Sequence, residues 1–119
     1  MRVLVVDAAN VVGSRPDGWW KDRPGAARRL HERLLVADVP HDLVVLVLEG
    51  QAKAGAPAGR DGHVRVVHAP RDGDAAILDV VRSHAVDQVT VITADRGLRA
   101  GAEVAGATVM SPSWLLDLL

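Results

Sequence analysis

Apolar residues fall in two alternating patterns along this chain. Short runs of β-branched residues and leucine are separated by longer stretches in which apolar positions recur every three or four residues. The runs "RVLVV" (2–6), "LVVLVLE" (43–49), "VRVVHA" (64–69), "QVTVITAD" (88–95) and "ATVM" (107–110) predict five buried strands. Helical spacing predicts helices over 23–39, with Ala27, Leu30, Leu34 and Leu35 on the apolar face, and over 74–86, with Ile77, Leu78 and Val81 inward. Shorter helices are predicted over 96–106, closed by Gly106, and over 111–119. Asp22 and Ser111 suit the cap before their helices, and Pro112 suits the first helical position, where its missing N–H costs nothing. The stretch "GQAKAGAPAGRDG" (50–62) is small and glycine-rich, and reads as a mobile loop.

Strands that are apolar on both faces and alternate with helices predict a parallel sheet covered on each side: a three-layer α/β/α sandwich with five parallel strands. The 119 residues fit one domain spanning 1–119, and 49% hydrophobic residues supply a core without staples. No cysteine is present, so disulfides and thiolate metal sites are excluded, as suits a cytoplasmic protein. The apolar run after Met1 is too short for a signal peptide or a membrane span, and no membrane partner is expected. Fourteen basic against fifteen acidic residues leave a formal charge of −1, so no global basic field announces nucleic acid.

Chemistry gathers where the strands end. Ligands of an open parallel sheet bind outside the carboxyl ends of its strands. Strand one ends at Asp7, strand two at Glu49 and strand four at Asp95; strand three leads into "HAPRDGD", with Asp72 and Asp74. Acids distant in sequence thus collect at one edge of the sheet. Like charges so packed call for a cation or for raised proton occupancy. Hard oxygen ligands without cysteine point to Mg2+ or Mn2+. For Asp72, capping the following helix is the stronger reading. Asp74 also suits the positive end of that helix on its own account.

Two motifs carry a resemblance. "VVDAANVVG" (5–13) resembles the opening D-x-x-N of NYN-type nucleases in the PIN-like superfamily, and "VITADRGLR" (91–99) resembles that family's second signature. "VLEG" (47–50) and "GDAAI" (73–77) resemble its acid at the end of strand two and its helix-opening acid. The resemblance implies a sheet in the order 3-2-1-4-5, with strands one and four adjacent, and metal-dependent cleavage of RNA. It implies that Asp7, Asp74 and Asp95 ligate the metal and that Asn10 orients Asp7 or touches the scissile phosphate. Glu49 then stands behind the ligands. The sequence departs from the family at Ala75, where a second acid is common, so one possible ligand is missing.

The remaining candidates surround this edge. Thr93 is read first as a packed β-branched residue with its hydroxyl in reach of Asp95, and Arg96 as a partner for phosphate or a site carboxylate. Arg15, Trp19, Trp20, Lys21 and Arg23 mix aromatic and basic groups as single-stranded RNA binding does, with one tryptophan stacking and the other packing. Trp114 and the apolar end Leu115, Leu116, Leu118 and Leu119 suit the core or a homodimer contact. His31, His41, His63, His68 and His84 show no metal-binding spacing and are read as surface or structural residues.

Rival functions are a degenerate PIN-like module that binds RNA or a protein partner without cutting, and a nucleotide pyrophosphohydrolase using the same metal chemistry. A receiver-like signalling domain fits poorly, because strand three ends at His68–Ala69 and both lysines, Lys21 and Lys53, precede it.

Overall fold

The computed structural model describes residues 1–119. Its strands are β1 (Arg2–Asp7), β2 (Leu43–Leu48), β3 (Gly59–Asp61), β4 (Val64–His68), β5 (Gln88–Ile92) and β6 (Thr108–Met110). Its helices are α1 (Ala8–Gly13), α2 (Arg23–Val36), α3 (Gly73–Ser83), α4 (Arg96–Val104) and α5 (Pro112–Leu116). One sheet runs in the order β3-β4-β2-β1-β5-β6. β1, β2, β4, β5 and β6 are mutually parallel, and β3 lies antiparallel along β4.

Side chains alternate across the central strands and build two cores. Val3, Val5, Val45 and Val47 face α3 and α4, where they meet Ile77, Val81 and Leu98. Leu4, Val6, Leu46 and Leu48 face the other way, onto Val11 of α1, Leu30 and Leu34 of α2 and Leu115 of α5. Every residue of β2 is buried. That is the reason its sequence shows no alternation. No helix is long and apolar enough to cross a membrane.

Two expectations are corrected. The sheet has six strands rather than five and is not wholly parallel: the five expected strands stand as β4-β2-β1-β5-β6, and β3 is added antiparallel at the β4 edge, so the full order differs from 3-2-1-4-5 by that strand. The added strand comes from the supposed mobile loop over 50–62. That segment holds a 3-10 turn (Gly50–Gly55) and then β3. Its small residues permit close packing rather than disorder. A Cβ at Gly55 would strike the Pro24 carbonyl and the Ala27 side chain of α2. Ala56 is buried, and its carbonyl lies 2.7 Å from Nε2 of His68.

Some element ends also differ. α2 stops at Val36 and α3 at Ser83, each three residues short of the predicted end. β5 stops at Ile92, before Thr93. At the chain end α5 spans Pro112–Leu116. Leu115 is buried, Trp114, Leu116 and Leu119 pack on the core of the same chain, and Leu118 is exposed.

Candidate active site

Asp7 is the last residue of β1 and caps α1, a short helix that the sequence pattern does not reveal. It is only 4% exposed. Burial pushes its carboxyl above the usual aspartate range, and hydrogen bonds from Thr93 and Asn10 hold it back. The Thr93 hydroxyl donates to Asp7 Oδ2 at 2.9 Å, and Asn10 Nδ2 donates to the same oxygen at 2.8 Å. Oδ1 accepts only the long 3.4 Å bond from the Asn10 backbone.

The D-x-x-N spacing follows from this geometry. Three residues make nearly one helical turn, so the Asn10 side chain folds back to the carboxylate of the cap residue. Its Oδ1 then accepts from the Ala94 N–H at 3.3 Å, tying α1 to the segment after β5.

Thr93 joins the two main motifs. It is 2% exposed, donates to Asp7 and accepts from the Asp95 N–H at 3.1 Å. It is thus both packed and hydrogen-bonded. Its hydroxyl holds the Asp7 carboxylate as well as the Asp95 backbone. Asp95 is exposed and caps α4 rather than ending β5; its Oδ1 accepts from the Leu98 N–H at 2.8 Å.

Glu49, just beyond β2, accepts from the Gly73 N–H at 2.7 Å and so fixes the start of α3. Asp72 caps that helix through the Ala75 N–H at 3.0 Å. Asp74, in the first turn, has its carboxyl pushed above the usual range by partial burial and then by the charges of Asp95, Asp7, Asp72 and Glu49. These acids therefore feel one another across the edge of the sheet. None of Asp7, Glu49, Asp74 and Asp95 is in an ion pair. Arg96, expected to pair with one of them, is exposed and forms no ion pair.

The donor set fits a hard divalent cation. It is all oxygen, partly buried and free of ion pairs. The carboxylates do not close into a ready three-ligand cage. Mg2+ needs none, because it is commonly held by one or two carboxylates and several waters.

A cleft of about 420 Å3 opens at the Glu49 end of this edge; Asp7, Asp74 and Asp95 do not line it. Its walls include Ala8 and Ala9 of α1, Glu49, Gly50, Gln51, Trp19, Arg23 and Arg71. The Arg23 guanidinium lies 5.4 Å from the centre of the Trp19 ring, and Trp20 meets Trp19 edge-on at 6.0 Å. Of the residues expected to bind RNA, Trp19 and Arg23 thus line this cleft. Arg15 lines a second groove, while Trp20, half exposed, and Lys21 line neither. Gln51 and Arg71 join the cleft without forewarning from the sequence; the 3-10 turn that carries Gln51 packs against α2.

Three histidines have structural bonds. His63 and His68 meet the Leu34 and Ala56 carbonyls, and His84 meets Asp87.

No protein-family model matches the chain, and no curated protein matches it. Among solved structures it is similar to the crystal structure of Rae1 (YacP) from Bacillus subtilis, in a tryptophan-to-leucine mutant. The TM-score is 0.77 at 20% sequence identity, over 98% of this chain and 74% of that one. The likeness is one of fold.

Proposed function

We propose that this protein is a metal-dependent ribonuclease of the NYN type within the PIN-like superfamily, cutting RNA phosphodiester bonds internally. The observation that carries the reading is the Asp7 carboxylate. It is buried at a strand end, gripped on one oxygen by Thr93 and Asn10, and set among acids that lack any basic partner. A protein that needed Asp7 only for its fold would gain by neutralising that charge.

Asp7 and Asp74 are the groups to hold Mg2+ or Mn2+, with Asp95 completing the acidic face. A divalent cation, when bound there, would supply charge to offset the phosphate, acidify a water and stabilise a leaving oxygen. The chain contributes placement. Thr93 and Asn10 fix the Asp7 carboxylate, leaving Oδ1 the less committed oxygen. Glu49 holds the start of α3 and with it Asp74. Arg23 and Arg71 offer phosphate contacts in the cleft, and Trp19 offers an aromatic face to a base. Asp7 and Asp74 bind protons more readily than ordinary aspartates, so holding a cation would require them to give those protons up.

The test is incubation of purified protein with a panel of labelled RNAs, with and without Mn2+, beside Asp7→Asn. Metal-dependent internal cleavage that Asp7→Asn loses is the expected result. Absence of cleavage across the panel with retained RNA binding would replace this reading with that of a non-cutting RNA-binding module.

A further inference from the structure

A second groove, of about 350 Å3, adjoins the first cleft along α1; Val12 walls both. Arg15, Arg29 and Arg33 line it, over a floor that includes Val11, Leu30 and Leu116. None of the three arginines is in an ion pair. The single acid in the lining, Asp17, has a carboxylate oxygen accepting from the Trp19 N–H at 3.2 Å.

This positive charge is segregated rather than surplus, since acids outnumber bases in the chain. α2 carries Arg23, Arg28, Arg29 and Arg33 against one acid, Glu32. Arg29 and Arg33 sit one turn apart on one helix face, a like-charge spacing that weakens a helix. On the opposite layer two exposed arginines do pair, Arg82 with Asp79 and Arg99 with Glu103, while Arg96 does not. Three unpaired guanidinium groups around an apolar floor suit planar, bidentate recognition of phosphate.

We infer that this groove is a phosphate track for the RNA strand, holding phosphodiester groups of nucleotides outside the acidic edge of the sheet. The inference rests on the ribonuclease reading in taking the strand to be RNA. α1 has six residues and rises about 9 Å, so the groove lies a short step along a strand from Asp7.

The test is binding of a labelled twelve-nucleotide single-stranded RNA, followed by fluorescence anisotropy in EDTA, where no cleavage interferes. The slope of log affinity against log salt counts phosphate contacts, at about 0.7 per phosphate for single strands. Arg29→Ala/Arg33→Ala should lower that slope by about 1.4. Arg29→Lys/Arg33→Lys, which keeps the charge, should hold it near the wild-type value. Arg82→Ala/Arg99→Ala removes as much charge from the other layer and should leave the slope unchanged. Equal slopes for wild type and Arg29→Ala/Arg33→Ala would overturn the track while leaving the cleavage reading intact. Equal losses in the two alanine pairs would also overturn it, by reducing the effect to net charge. Absence of salt-dependent RNA binding by the wild type would overturn both readings.

Discussion

Replacing Thr93 by valine removes one hydroxyl and almost nothing else. The residue is 2% exposed, and valine keeps its shape. The hydroxyl donates to Asp7 Oδ2 at 2.9 Å and accepts from the Asp95 N–H at 3.1 Å. A hydrogen bond to a charged acceptor contributes about 1.5–3 kcal/mol, and the added methyl returns about 0.8 kcal/mol. With the Asp95 N–H also losing its acceptor, the net loss at neutral pH comes to about 2 kcal/mol. Unfolding entropy of about 2.1 cal/mol/K per residue over the 119 residues converts this to a melting point lower by about 8 °C.

The loss also has a pH signature. Burial already raises the Asp7 carboxyl, and the Thr93 bond is the strongest influence lowering it again. Without that bond the carboxyl rises further. A folded-state value above the unfolded one means that the folded protein binds the proton more readily, so the ionised group costs stability above the folded value. The deficit of Thr93→Val is therefore largest above the raised folded values and shrinks as pH falls through them towards the unfolded value near 3.8. Thermal melts by circular dichroism across this range read both effects. A melting point within about 2 °C of wild type at neutral pH, or a deficit that does not change with pH, would refute the argument.

Other consequences are equally open to measurement. Asp95→Asn should abolish cleavage with an unchanged or raised melting point, because asparagine caps α4 as well as aspartate does while one repelling charge disappears; retained cleavage would remove Asp95 from the site. Gly55→Ala should lose about 1–3 kcal/mol, since its methyl meets backbone atoms of α2 that cannot step aside; chemical denaturation checks this, and an unchanged midpoint would contradict it. Mn2+ affinity should fall as pH drops through the raised titrations of Asp7 and Asp74, where proton and cation compete for the same oxygens; isothermal titration at two pH values reads it, and pH-independent affinity would argue against these ligands.

Much of the architecture is written in local pattern. All five predicted strands exist, because buried parallel strands are runs of valine and leucine that no other element tolerates as well. Caps at Asp22, Asp72 and Ser111 are legible because each side chain satisfies backbone donors three residues on. The misses have physical reasons. α1 has six residues and two valines, too short and too β-branched for a helical period to show. β3 is an exposed edge strand of Gly-Arg-Asp, held by pairing with β4 rather than by its own propensity. Asp95 reads as a strand end in sequence, and its cap role depends on where β5 stops. The acids at the sheet edge were visible as strand-end residues, whereas the Thr93 bridge, Gln51 and Arg71 emerge only from tertiary packing.

In the proposed mechanism Asp7 anchors a divalent cation at this edge. Electron paramagnetic resonance of Mn2+ added to the apo protein counts bound metal directly. Wild type should bind Mn2+, Asp7→Asn should lose that binding while staying folded, and Asp72→Ser, which keeps the cap of α3, should bind within a few-fold of wild type. Equal Mn2+ binding by wild type and Asp7→Asn, or none by wild type, would contradict the claim.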